Sequence, residues 1–497
     1  TMGEYVVALD QGTTSSRAVL IDRLGRIKGM SQSAFPQLFP QPGWVEHSPK
    51  DILSSQLKVL AELLVSTGVS ASQIDSIGIT NQRETTVVWD RVTGEPVCNA
   101  IVWQCRRTTE IVERCCGDAE TAAEVTRRTG LIPDAYYSAS KIAWILDTVP
   151  GARERAEAGE LAFGTVDSWL IWNLTQGEVH ATDPTNASRT MLFNIHTGTW
   201  DPWLCQLFGV PSSMLPEVRP SSGSFGLMHH PVIAGTIPIR GVAGDQQSAL
   251  FGQCCFNPGQ VKATFGTGCF LLMNTGAKAC ASTHGLVTTV AASAPGAQGL
   301  EYALEGSVFM AGALIQWLRD GLGIIDDASQ TEELAKSVPD SAGVCVVPAF
   351  AGLGAPYWDA NARGAIYGLT RGATKAHLVR ACLEAQGFQV QDVLQGMARD
   401  AETPVSVLAV DGGACRNSFM LQRCADIVGT DIQRPECVES TALGAAYLAG
   451  LASGFWRSTE EIASLRGIDR TFKPAVSSEA RSRMLAYWHE CVARTRS

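Results

Sequence analysis

Positive charge is scarce in this chain: 39 Lys and Arg stand against 49 Asp and Glu in 497 residues, a net charge of −10. Nucleic acid demands a basic surface to neutralise its phosphates, so that class of partner is excluded. Long apolar runs are absent as well. The most apolar stretch, residues 441–456, is shorter than a membrane span and is interrupted by Gly444, Gly450, Ser453 and Gly454. The N-terminus enters a strand-like run at Tyr5 without the basic region and apolar core of a signal peptide, which points to a cytoplasmic protein. In that setting the glycosylation sequons at Asn173 and Asn186 carry no weight. There are fifteen cysteines but no CxxC pair, and Cys115-Cys116 and Cys254-Cys255 are directly adjacent. A metal cage has no ligand spacing here and a disulfide framework does not suit so long a chain, which leaves free thiols. The common fingerprints are also missing: no GxxxxGKS/T loop, no GxGxxG after a strand, no HExxH and no GxSxG.

What is present is apolar material for large cores, with 45% hydrophobic and 18% charged residues. Composition therefore excludes disorder, and the length suits two large units or about three smaller ones. Strand and helix patterns alternate, the mark of an α/β architecture. Val6, Val7, Ala8 and Leu9 form a buried-strand run that meets a polar turn over residues 10–16. A second strand, residues 18–22, follows, so the segment is expected to be a hairpin with a Gly- and Thr-rich tip. Ser48-Pro49 with Asp51 is a helix start, continued by Leu53, Leu57, Leu60 and Leu64 at helical spacing. Ile77 and Ile79 then alternate up to a polar strand end at residues 80–84.

The same grammar returns in the second half. Val242 and Ala243 lead to Gly244-Asp245-Gln246, and residues 261–265 reach the tip Gly266-Thr267-Gly268 before the apolar residues 269–273. Residues 407–410 run into Asp411-Gly412-Gly413-Ala414. The second half thus reads as a degenerate copy of the first, with the boundary placed at 253: an N-terminal unit 1–253 and a C-terminal unit 254–497. A last helix is expected around Met484, Trp488, Cys491 and Val492.

Three features could carry chemistry. Hairpin tips with successive backbone N–H groups make anion-binding concavities, and one lies in each half, at Gly12-Thr13-Thr14 and at Gly266-Thr267-Gly268. Each tip alone could be an ordinary turn; their duplication beside an aspartate favours phosphate. Asp10 could hold Mg²⁺ through water, and Asp245 could accept the proton of an attacking hydroxyl, although either could equally bond its own turn. Arg83-Glu84 pairs a donor fork with an acceptor at a strand end, which suits either a grip on vicinal hydroxyls or a surface ion pair.

Together the segments resemble the FGGY carbohydrate kinases of the actin-like ATPase superfamily, and within that family the members that act on glycerol. The resemblance rests on ALDQGTTSSRA (8–18), GITNQRETTVVWD (78–90), GDQQSALFGQ (244–253), FGTGCFLLMNTG (265–276) and YALEGSVFMAGALIQWLRD (302–320), continuing with PAFAGLGAPYWD (348–359), ARGAIYGLTRG (362–372), VDGGA (410–414) and TALGAAYLAG (441–450). Residues 137–147, with Lys141 and Trp144, and residues 364–384 fit two longer family patterns. The resemblance implies two α/β domains of ribonuclease-H-like fold with ATP and substrate meeting in the cleft between them. It implies ATP-dependent phosphorylation of glycerol to sn-glycerol 3-phosphate, the first step of glycerol catabolism. It also implies a homodimer or homotetramer.

Residue by residue, the resemblance implies that Arg83, Glu84, Tyr136, Asp245 and Gln246 hold the polyol hydroxyls and that Trp103 and Phe270 pack on its carbons. Asp245 would be the general base, with Asp10 and Arg17 beside it in the catalytic group. Asp10, through water, and Asp245 would attend Mg²⁺. Thr13, Thr14, Ser15, Arg17, Gly266 and Thr267 would contact phosphates, and Gly312, Gln316, Gly413, Ala414 and Asn417 would line the nucleotide site for ATP or ADP. The alternatives are a family kinase for another small polyol or ketose and an actin-like ATPase without a small-molecule acceptor. Some family members bind fructose bisphosphate through a basic loop; here residues 216–239 hold Arg219 as their sole Lys or Arg, so weak or absent inhibition is expected. His229-His230 reads as a pair of surface-loop histidines. Gly387 falls inside a helical pattern, where it costs about 1 kcal/mol relative to Ala, and the sequence supplies no function for it.

Overall fold

The computed structural model describes residues 3–497. Two mixed sheets organise it, and they repeat one plan. In the first, strand Tyr5–Gln11 pairs antiparallel with Ser15–Asp22, which pairs antiparallel with Ile27–Ala34. On its other edge Tyr5–Gln11 pairs parallel with Ile74–Asn81, and that strand pairs parallel with Ile237–Gly244. In the second, Gln260–Phe265 takes the central role, with Cys269–Gly276 and Glu301–Val308 antiparallel on one side. Val407–Asp411 and Ile432–Pro435 follow in parallel on the other. Leu227–Met228 is added to the first sheet, and Val287–Ala291 and Ile468–Phe472 to the second. The duplication expected from strand–tip–strand grammar is therefore a duplicated five-strand topology.

The first hairpin is tighter than the sequence suggested. Pairing runs through Gln11↔Ser16, so the turn shrinks to Gly12, Thr13 and Thr14, closed by the Gly12 N–H donating to the Ser15 carbonyl at 3.0 Å. Polar residues at 10, 11, 15 and 16 stay in the ladder because their backbone groups pair regardless of side chain.

Strand Tyr5–Gln11 is buried on both faces, and its side chains alternate accordingly. Val7 and Leu9 join Ile52, Val59, Leu60 and Leu63 of helix Pro49–Thr67. Val6 and Ala8 instead meet Ala442, Ala445, Ala446 and Leu448 of helix Ser440–Ser453. That late helix lies across the first sheet and beside helix Asp245–Gly252. The two backbones approach so closely that a Cβ on Gly444 would run into the Ser248 carbonyl oxygen. This explains the composition of residues 441–456: the helix is apolar all round because protein surrounds it. Among the described residues no helix is long and apolar enough to cross a membrane.

In the second lobe Val261, Ala263 and Phe265 pack on Leu383, Val390, Val393 and Leu394 of the long helix Lys375–Ala401. Gly387 lies on this helix where it meets Ser418–Val428, and an added Cβ would sit 3.0 Å from Ile427 Cδ1 and 3.1 Å from Cys424 Cα. Its role is helix–helix approach, which the sequence pattern did not reveal. The final helix, Ser478–Thr495, buries Trp488, Cys491 and Val492 as expected. Asn186 is fully buried and bonded to Asn81, so its sequon is a core feature.

Candidate active site in the interlobe cleft

The second hairpin tip opens onto a space that residues of both lobes line. A cavity of about 1050 Å³ occupies it. Its lining includes Trp103, Tyr136, Arg189, Thr264, Gly266, Thr267, Phe270 and Glu305.

Arg83 and Glu84 are a core pair, since both are almost fully buried. The surface-pair alternative is thereby overturned. Glu84 takes a left-handed backbone with φ of 64°, a conformation unfavourable for a residue with a Cβ and characteristic of functional sites. Ser138 and Thr86 hydroxyls, each 2.9 Å away, hold its carbonyl. Arg83 Nε lies 3.6 Å from Glu84 Oε2 and 3.5 Å from Asp245 Oδ1.

Asp245 opens helix Asp245–Gly252, where the helix N-terminus favours a carboxylate, and the Gln246 N–H donates to its Oδ1 at 2.8 Å. Its side chain is 34% exposed at the cleft surface. Burial among protein atoms pushes its pKa up to about 6, with the Arg83 charge opposing and the Glu84 charge adding to the rise. A carboxylate so placed is ionised at neutral pH yet close to the ideal basicity for taking a proton. Gln246 accepts a bond from the Lys262 ammonium, which also donates to Thr264 Oγ1 at 3.0 Å.

Trp103 and Tyr136 stand edge to face, 5.7 Å apart, and form one aromatic wall. Trp103 Nε1 donates to Thr13 Oγ1 at 3.0 Å, so this wall is fastened to the first tip. Lys141, the signature lysine, is fully buried and donates to the carbonyls of Ala135, Tyr136 and Tyr137. Burial pulls its pKa down to about 7. Phe270 borders the cavity on the strand that leaves the second tip.

Asp10, next to last in the first strand, binds Arg17 Nη2 at 2.6 Å, while Arg17 Nη1 reaches Glu439 just before helix Ser440–Ser453. Burial raises the Asp10 pKa, and the Arg17 charge acts against it. At the second tip the Gly312 N–H donates to the Gly266 carbonyl at 2.9 Å. A Cβ on Gly312 would meet that oxygen at 2.6 Å. Gln316 is exposed one turn further along the same short helix, Gly312–Gln316. Gly413 and Ala414 follow strand Val407–Asp411, and a Cβ on Gly413 would have nothing within 4 Å, an open approach for a ligand. Asn417 caps helix Ser418–Val428 by accepting from the Met420 N–H at 2.9 Å. Arg83, Glu84 and Asp245 thus form one charged group, Trp103, Tyr136 and Phe270 border the cavity, and Gly312 bonds the second tip.

Sequence reading missed three charged members of the cluster: Arg189, Lys262 and Glu305. Lys262 and Glu305 had a signal, a charge set between apolar residues within a strand. Arg189 had none, since its partners are distant in the chain.

Comparison with known proteins agrees with the fold. The model for the FGGY family of carbohydrate kinases, N-terminal domain, matches residues 5–252, and that for the C-terminal domain matches residues 261–453. The glycerol kinase of Symbiobacterium thermophilum is 56% identical over 497 residues, covering 99% of this chain and 98% of that protein. That of Shewanella woodyi is 56% identical over 492 residues, covering 99% of each. Among solved structures, Plasmodium falciparum glycerol kinase with ADP superposes with a TM-score of 0.94 at 37% identity, covering 100% of this chain and 99% of that one. A ligand-bound xylulose kinase from Lactobacillus acidophilus shares the fold at a TM-score of 0.87 and 22% identity, covering 99% of this chain and 98% of that one. With both domain models matched in order and relatives alike from end to end, the chain belongs to the FGGY family of carbohydrate kinases.

Proposed function

We propose that this protein transfers the γ-phosphoryl group of ATP to a terminal hydroxyl of glycerol, giving sn-glycerol 3-phosphate. The observation that carries the reading is the charged cluster of Arg83, Glu84 and Asp245, joined through Glu305 and Arg189 to a cavity that Trp103, Tyr136 and Phe270 also line. Glycerol has three hydroxyls on three carbons, so its site must supply several polar partners and a little apolar wall. An analogue lacking a hydroxyl leaves buried donors or acceptors unpaired, which is the basis of strong discrimination. The full-length similarity to glycerol kinases supports the same assignment. In this reading residues 1–253 supply most of the polyol grip and residues 254–497 most of the nucleotide site.

In-line phosphoryl transfer needs chiefly positioning and charge stabilisation. Arg83 and Glu84 orient the hydroxyls, and Asp245 takes the proton as the terminal oxygen attacks. Thr13, Thr14, Ser15 and Thr267 offer uncharged donors to phosphate oxygens, with Gly266 keeping the backbone accessible. Arg17, anchored by Asp10 and Glu439, adds a fixed positive charge beside the first tip. Gly312, Gln316, Gly413, Ala414 and Asn417 border the nucleotide.

The donor set fits Mg²⁺ held largely by water and phosphate. Asp10 is a buried strand-end carboxylate with Arg17 on its Oδ2, and Asp245 is the second carboxylate at the cleft. Among the described residues no group of three His, Cys, Asp or Glu forms a cage for a metal. When bound, Mg²⁺ would neutralise charge on the phosphates.

The second reading is a longer ketose or polyol, since the fold is shared with a xylulose kinase at a TM-score of 0.87. ADP release from Mg-ATP, measured with glycerol, dihydroxyacetone, erythritol, xylulose and gluconate and without any acceptor, separates the cases. Glycerol-dependent ADP matched one-for-one by glycerol 3-phosphate is expected. Turnover confined to a longer substrate would favour the second reading, and equal ADP in the blank would overturn both.

A further inference from the structure

Buried strands rarely carry charges, because taking an ion out of water is costly unless it is paired. The second sheet nevertheless sends Glu305, with only 6% of its side chain exposed, into the polyol cluster of the other lobe. Its Oε1 accepts from Arg83 Nη1 at 2.6 Å, and its Oε2 lies 2.8 Å from Arg189 Nη2. Arg189 in turn donates through Nε to Glu84 Oε2 at 2.7 Å. Arg83, Glu305, Arg189 and Glu84 therefore close a ring of alternating charge, with one member from the second sheet. Burial opposes the Glu305 charge, yet Arg189 and Arg83 outweigh it and hold the pKa at about 2.

We infer that Glu305 is a positioning residue for polyol recognition, bridging Arg83 and Arg189 from the opposite lobe so that Arg83 and Glu84 present a fixed pattern of donors and acceptors. The inference rests on the polyol-kinase reading above and deepens it. Three observations support it. Glu305 takes Arg83 Nη1 and Arg189 takes Glu84 Oε2 in hydrogen bonds of 2.6 and 2.7 Å, shorter than the 3.6 Å between Arg83 Nε and Glu84 Oε2, so each member of the pair is fixed by a partner other than its neighbour. Glu84 keeps its left-handed backbone, which persists only where surroundings over-determine it. Lys262, also from the second sheet, fixes Gln246 in the same manner through its amide oxygen and leaves the NH₂ end for substrate. Recognition of the polyol is thus a joint property of both lobes, and opening the cleft would slacken the grip as well as expose it.

The test compares glycerol with 1,3-propanediol, which lacks the middle hydroxyl. In E305Q the glycerol kcat/KM is expected to fall roughly 10- to 100-fold, the range for a hydrogen bond to a charged group, mostly through KM. Activity toward 1,3-propanediol should fall much less, so the selectivity ratio shrinks while the KM for ATP stays unchanged. E305D, which keeps the charge, should recover part of the ratio. R189K, which keeps a charge but loses the fork joining Glu84 to Glu305, should shift the ratio in the same direction. A folded E305Q with an unchanged ratio overturns the inference. Should E305Q fail to fold, an unchanged ratio in R189K overturns it equally. Wild-type protein without glycerol-dependent ADP release would instead sink the underlying reading of function.

Discussion

The two lobes carry the same hairpin at the same place in the same sheet, but they fasten its tip by different means. Side chains hold the first tip: Trp103 donates to Thr13 Oγ1 at 3.0 Å, Gln37 to the Thr13 carbonyl at 2.9 Å and Gln82 to the Gly12 carbonyl at 3.2 Å. Main chain holds the second. The Gly312 N–H bonds the Gly266 carbonyl at 2.9 Å, and the Ala311 and Ala313 N–H groups both reach the Thr267 carbonyl at 3.0 Å. The first tip is therefore wired to the aromatic wall of the proposed polyol site, whereas the second is docked on a helix start beside the expected nucleotide residues. One fold element thus has two kinds of anchor, while its backbone plan is the same in both lobes.

The strongest way to break the comparison is to pry apart what both lobes share. Gly444→Ala would force a methyl group into the Ser248 backbone between the two sheets, costing about 3 kcal/mol or more by overpacking. Thermal or urea unfolding should show this loss for the whole molecule. Next in size, Asp245→Asn should retain glycerol binding and lose on the order of 10²-fold or more in kcat, the scale of a general base. The wild-type rate should rise with pH through about 6, as Asp245 gives up its proton, and the variant should lack that limb. A flat wild-type profile there would remove Asp245 from the base role.

Two milder substitutions sharpen the contrast between tips. Gly312→Ala places a Cβ 2.6 Å from the Gly266 carbonyl and should displace the second tip alone. The KM for ATP should rise about 10-fold, an overpacking cost of roughly 1–2 kcal/mol, with the KM for glycerol little changed. Trp103→Phe keeps the wall but removes the donor to Thr13, a loss of about 1 kcal/mol. Here a several-fold rise in the KM for glycerol is expected together with a smaller one for ATP. Equal effects of the two variants on both substrates would show that the tips are not specialised.

Legibility in the sequence followed range. Local signals were strong: Val6 to Leu9 named the central strand, Ser48-Pro49 named a helix start, and the repeated Gly/Thr tips revealed the duplication before any pairing was known. Ser48 does cap helix Pro49–Thr67, accepting from the Asp51 N–H at 3.3 Å. What escaped depended on residues far apart in the chain. Arg83 meets a glutamate 222 positions away and Glu84 an arginine 105 positions away, and no period or cap encodes such a meeting. Gly387 escaped for a related reason, since a missing side chain in one helix makes sense only against the backbone of another.

Helix Ser440–Ser453 adds a consequence for the order in which the molecule is made. It supplies the apolar partner of Val6 and Ala8, yet it leaves the ribosome more than four hundred residues after them. Until then one face of the first sheet lacks most of its cover, with Phe251 of helix Asp245–Gly252 the main earlier contribution. A nascent chain halted near residue 253 should therefore be a sheet waiting for its lid, readily cut by protease and prone to stick. Supplying residues 440–453 as a separate peptide should protect it, and protease resistance of the halted chain on its own would refute the idea. The expected outcome is a first lobe completed only once residues 440–453 have been made.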